Sequence, residues 1–65
     1  MTKFGKIVFH EFNFHHWIEV RKGKCLYKAY VLDENKNVIR WTPFRENFDE
    51  ALECGRKLLD DIMVG

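Results

Sequence analysis

The chain is short of the residues that usually announce a function. It holds two cysteines, one proline and four glycines in 65 residues. Small secreted scaffolds are stapled by several disulfides, so two cysteines argue against that class. Cys25 and Cys54 each sit in an apolar or amphipathic run and read as free thiols of a reducing compartment, acting as small buried hydrophobes. No Cys-x-x-Cys or His-x-x-x-His pair supplies zinc spacing, and His15 and His16 are adjacent, so they would point to opposite faces of a strand. No glycine-rich loop is present to cradle a phosphate or an oxyanion. The expectation is a chain with no catalytic residues, no metal and no cofactor.

Charge of one sign is also missing. Eleven Lys and Arg against ten Asp and Glu leave a net +1, which suits neither a strongly basic nucleic-acid coat nor an acidic mimic. The longest uncharged stretch, residues 12–18, is far below the roughly 20 residues of a membrane helix. After Met1 and Lys3 the apolar run is broken by His10, Glu11 and Asn13, so no signal peptide is expected and the location read is cytoplasmic. A chain of this length has room for one core, so residues 1–65 form a single small domain, too small for a doubly wound fold or a barrel.

What the chain has is aromatic and apolar pattern: ten aromatics and 46% hydrophobic residues, enough to order a small domain. Phe48, Ala51, Leu52, Leu58, Leu59, Ile62 and Met63 form one stripe at helical spacing, predicting a helix over about 48–63. Asn47 is a good N-cap with Glu50 three residues on, and Pro43 forbids a much earlier start. Gly55 interrupts the stripe at a cost of about 1 kcal/mol relative to alanine, which implies close approach of a sheet bearing a bulky side chain. Asp60 and Asp61 oppose the helix dipole, and nothing in the sequence explains them.

Upstream the pattern is strand. Residues 17–22 alternate, 23 and 24 turn, and 25–32 are rich in β-formers. Residues 33–37 have hairpin-turn composition, and 38–42 form the next strand. Residues 6–12 make a further strand with 13–16 as its turn. The expected fold is α+β: an antiparallel meander of three to four strands, covered on one face by a single C-terminal helix.

Face parity then assigns the uncovered side. With Ile18, Val20, Ala29, Val31, Ile39 and Trp41 toward the helix, Trp17, Glu19, Arg21, Lys28, Tyr30, Arg40 and Thr42 point away, joined at the ends by Leu26 and Val38. The candidate binding residues are therefore Trp17, Arg21, Lys28, Tyr30, Arg40 and Thr42. Cations with interleaved rings suit nucleic acid, through phosphate contacts and base stacking. The same pattern suits a solvated polar face or a protein-partner surface. The halves of the chain differ in charge. Residues 1–32 carry six basic and two acidic groups, net +4, whereas 33–65 carry five basic and eight acidic groups, net −3. Phe4, Phe9, Phe12 and Phe14 form an aromatic arm suited to packing at the sheet edge or to a subunit interface.

The run Lys28-Ala29-Tyr30-Val31-Leu32-Asp33, followed by Val38–Trp41, Phe44 and Phe48-Asp49-Glu50-Ala51, resembles the small DNA-binding modules of the plant ethylene-response-factor type. It is similar also to the related amino-terminal arm-binding domains of tyrosine integrases. The resemblance spans roughly residues 17–63 and implies three antiparallel strands, then a helix, with sheet side chains entering the DNA major groove. Carried over by position, those side chains are Arg21, Lys28, Tyr30 and Arg40. The chain departs from the pattern at Pro43, where the family has glycine before its Phe, and the Phe44-to-Ala51 spacing differs by one. The alternative from another class is a protein-interaction factor of phage or mobile-element type that modulates a host complex, as a monomer or a homodimer across sheet edges.

Overall fold

In the computed structural model, which describes residues 5–64, four strands are followed by one helix. They are β1 (Lys6–Asn13), β2 (His16–Lys22), β3 (Tyr27–Leu32), β4 (Val38–Trp41) and α1 (Phe48–Val64). The strands form one antiparallel sheet in chain order, and α1 covers one face of it, as the β-β-β-β-α pattern implies. Phe4 of the aromatic arm lies outside the described residues.

Each connection has a local cause. Between β1 and β2, Phe14 and His15 both take positive φ (52° and 61°), the backbone of a two-residue type I′ turn that matches strand twist. His16 Nδ1 lies 2.7 Å from the Phe14 carbonyl oxygen across that turn. Between β2 and β3 the turn takes four residues, closed by the Gly23 N–H to the Leu26 carbonyl at 2.9 Å. The third strand therefore starts at Tyr27 and not at Cys25, and Cys25 is exposed in the turn rather than a buried hydrophobe. Between β3 and β4, Asp33 Oδ1 accepts the backbone N–H groups of Asn35 and Asn37, each at 2.9 Å. The Asn37 N–H bond is the main reason the Asp33 carboxyl is held below its ordinary pKa.

The helix begins at its expected N-cap, although Glu50 returns to the Asn47 side-chain amide and not to the backbone N–H that a capping box uses. Asn47 Oδ1 accepts the Glu50 N–H at 3.0 Å, and Asn47 Nδ2 donates back to Glu50 Oε2 at 2.6 Å. Its buried residues Ala51, Leu52, Gly55 and Leu59 lie on Ile18 and Val20 of β2 and Ala29 and Val31 of β3. At Gly55 a Cβ would stand 3.0 Å from Ala29 Cβ and 3.2 Å from Ile18 Cγ2. The glycine thus admits a close approach, but chiefly to a small alanine rather than to a bulky side chain. Phe48 closes one end of the core, edge-on to Phe9 (5.5 Å) and Tyr27 (6.1 Å).

The helix lies mainly over β3 and β2. Edge strand β1 is tied to it by side chains: the Phe9–Phe48 ring contact, and a two-armed ion pair in which Arg56 Nε and an Arg56 terminal nitrogen each meet a Glu11 oxygen at 2.9 Å. That pair holds the Glu11 carboxyl below its ordinary pKa and raises that of Arg56. Both cysteines are free. Among the described residues no helix is long and apolar enough to cross a membrane.

A candidate binding face on the open side of the sheet

The side of the sheet away from the helix is built of three cross-strand rows. One runs Phe12, Trp17, Leu32, Val38; the next His10, Glu19, Tyr30, Trp41; the third Ile7, Arg21, Lys28. The alternation of β2 and β3 places Trp17, Glu19, Arg21, Lys28 and Tyr30 together on this side, as parity predicts, with Ile18, Val20, Ala29 and Val31 in the core behind them.

Strand β4 departs from parity. A bulge sets Ile39 and Arg40 against Val31, so the strand loses one step of alternation. Trp41 consequently pairs with Tyr30 on the open side and is 59% exposed, whereas it was expected to face the helix. Thr42 makes the reverse exchange. It is 1% exposed; its Oγ1 accepts the Ala29 N–H at 3.0 Å and its own N–H donates to the Ala29 carbonyl at 2.9 Å. Thr42 is therefore a buried ladder residue and not part of the open face. Arg40 changes side as well: expected on the open face, it pairs with the core residue Val31, so the bulge sets it on the helix side of this edge strand, where it stands exposed and is not part of the open face. Leu26, expected at the end of the outer set, lies in the β2–β3 turn.

Rings and cations interlock across the face. His10 stacks on Trp17 (5.3 Å between centroids, 29° between planes), and the Phe12 ring lies tilted against it (5.0 Å, 57°). The Asp33 turn carries Lys36, at φ 66°, back over the sheet, where its Nζ stands 4.6 Å from the Trp17 ring centre. Lys28 Nζ sits between two rings, 4.8 Å from Phe44 and 5.6 Å from Tyr30. These contacts bury much of a face that no second layer of the described residues covers: Leu32 is 1% exposed and Glu19 8%. Phe12, Trp41 and Phe44 remain about half exposed.

Glu19 is a carboxylate sunk in this apolar setting. Arg21 Nε donates to its Oε1 at 2.6 Å, and the same guanidinium reaches the Gly5 carbonyl at 3.2 Å. Arg21 is thus held down on the face, largely spent on its neighbours. Beside the pair, Ile7, His10, Trp17, Glu19, Leu32 and Lys36 line a cleft of about 140 Å³. Sequence parity reached Trp17 and Glu19 but not Ile7, His10 or Lys36. Their place depends on the β1 pairing and on the folding of the Asp33 turn, for which the run Asp33-Glu34-Asn35-Lys36-Asn37 was the available signal.

The opposite side differs in sign. Asp49, Glu50, Glu53, Asp60 and Asp61 are all exposed on α1, against Arg56 and Lys57, so the exposed charges of the helix are mostly acidic. The near-neutral total conceals a basic, ring-lined sheet face and an acidic helix. No known family, curated protein or solved structure matches this chain. The functional reading therefore rests on the geometry of this face.

Proposed function

We propose that the protein is a non-catalytic nucleic-acid-binding module that takes a single strand across the open face of its sheet. One observation carries the reading: exposed rings (Phe12, Trp41, Phe44) lie on the same side as Lys28 and Lys36, whose ammonium groups are held over ring faces and make no ion pair among the described residues. Rings stack on unpaired bases of any sequence, and lysines beside them meet the phosphates that follow. Reading base edges in a duplex groove needs free arginine forks reaching out from the sheet. Arg21 is committed to Glu19 and Gly5, and Arg40 lies off the aromatic row, which favours the single strand over the duplex.

The test is fluorescence anisotropy with a labelled oligothymidine about 15 nucleotides long and a duplex of the same length. Two to three phosphate contacts give a slope of log affinity against log salt of about −1.4 to −2.1 for a single strand. Trp41→Ala and Lys28→Ala should each weaken binding. A protein that binds neither probe at low salt sinks the proposal.

A second reading, a homodimer through β1, is favoured by a different observation. The eight-residue β1 is an edge of the sheet and bears exposed Ile7, Val8 and Phe12, with Phe14 at its turn. Such edges pair readily with a second copy, and antiparallel pairing of two β1 strands closes a two-fold dimer. Light scattering across a range of concentrations tests it. Dimer is expected, and Val8→Lys should return it to monomer; a wild-type chain that stays monomeric throughout rules it out.

A further inference from the structure

We propose that the cleft beside Glu19 is a pocket for a single unstacked base of the bound strand, and that it prefers guanine; this rests on the single-strand reading above. The cleft's volume of about 140 Å³ is close to the roughly 150 Å³ that suffices for benzene in an apolar cavity. It therefore takes the six-membered ring of one base, with the remainder in its open mouth. Trp17, with His10 stacked on it and Phe12 tilted against it, forms the aromatic wall, and Leu32 and Ile7 offer apolar contact; Lys36, whose Nζ stands over the Trp17 ring, swings off that ring when a base stacks there, which releases its ammonium for a phosphate.

The selecting group is Glu19. A pocket of apolar walls with one convergent polar group is how small ligands are oriented. Arg21 bonds Oε1, and no donor among the described residues bonds Oε2. An ionised carboxylate only accepts hydrogen bonds, so the occupant must bring N–H donors. A cationic group is disfavoured, because Arg21 already neutralises Glu19 and Lys36 lines the same cleft. An apolar protein side chain would satisfy the walls but offer Glu19 nothing. Among the bases, guanine presents two adjacent donors, N1–H and N2–H, to the two oxygens of a carboxylate. Adenine and cytosine place a lone-pair nitrogen beside their single amine, and thymine flanks its N–H with two carbonyls; each of those acceptors repels the carboxylate.

The experiment compares four labelled oligothymidine strands that differ only at one central position, bearing guanine, adenine, cytosine or thymine. The wild-type protein should bind the guanine strand at least about fivefold tighter than the other three. Glu19→Gln should erase that preference, so that the four strands bind with equal affinity to one another, with a thermal melt verifying that it folds. Lys36→Ala should weaken all four strands alike. Equal wild-type affinity for the four strands overturns the guanine pocket while leaving single-strand binding intact. So does a guanine preference that survives in Glu19→Gln. Absence of binding to every strand removes the single-strand reading and the pocket with it.

Discussion

Replacing Gly55 with alanine sets two effects against each other, and the structure decides which wins. Alanine inside a helix is worth about 1 kcal/mol over glycine. The new methyl would stand 3.0 Å from Ala29 Cβ and 3.2 Å from Ile18 Cγ2, where carbon contacts prefer about 3.5–4.0 Å. Neither neighbour can step aside. Ala29 has no rotamer to change and its backbone is bonded to Thr42, while Ile18 is β-branched and 0% exposed in the core. The helix must lift off the sheet by several tenths of an ångström, loosening Ala51, Leu52 and Leu59, and overpacking of this kind costs about 1–3 kcal/mol. The expected net is a loss of about 1 kcal/mol, or about 4–8 °C in Tm for a domain of this size. Urea unfolding followed by tryptophan fluorescence measures it. In the Ala29→Gly background the nearer clash is gone, and Gly55→Ala should become neutral or stabilising, a coupling of about 1 kcal/mol. If Gly55→Ala stabilises the otherwise wild-type protein, the helix does not sit this close to β2 and β3.

Other outcomes follow from single contacts. Thr42→Val keeps the shape but leaves the buried Ala29 N–H without an acceptor, and should cost about 1–3 kcal/mol in chemical unfolding; Thr42→Ser should recover most of it. Glu11 has a folded-state pKa below its unfolded value, so its contribution is present above about pH 4.3 and is lost as pH falls through the lower, folded value. Between about pH 5 and pH 3 the wild-type Tm should therefore fall more steeply than that of Glu11→Gln, by the equivalent of about 0.2–1 kcal/mol for a largely surface pair. Asn47→Ala removes the helix cap and should cost about 1 kcal/mol in the same assays.

Local pattern carried most of the fold and about half of the face. The helix, its cap and the close approach at Gly55 are all consequences of short-range spacing. In β2 and β3 alternation is unbroken, so Trp17, Glu19, Arg21, Lys28 and Tyr30 could be placed without coordinates. The β4 bulge defeated the same rule. One extra residue opposite Val31 reverses the faces of Arg40, Trp41 and Thr42, and nothing in Val38-Ile39-Arg40-Trp41-Thr42 marks it. The cleft was hidden for a different reason. It unites Ile7 and His10 of β1, Trp17 and Glu19 of β2, Leu32 of β3 and Lys36 of a turn, residues that only the assembled sheet brings together. The Glu11–Arg56 pair likewise spans 45 positions and has no local signature.

A 15N-resolved NMR titration with oligothymidine shows directly which side of the sheet meets a ligand. The indole N–H signals of Trp17 and Trp41, with the amides of Phe12, Lys28 and Tyr30, should shift together and saturate, while those of Asp49, Glu53 and Asp60 on the outer helix stay in place. Shifts confined to the helix, or no shifts at all at low salt, would contradict binding on the open face.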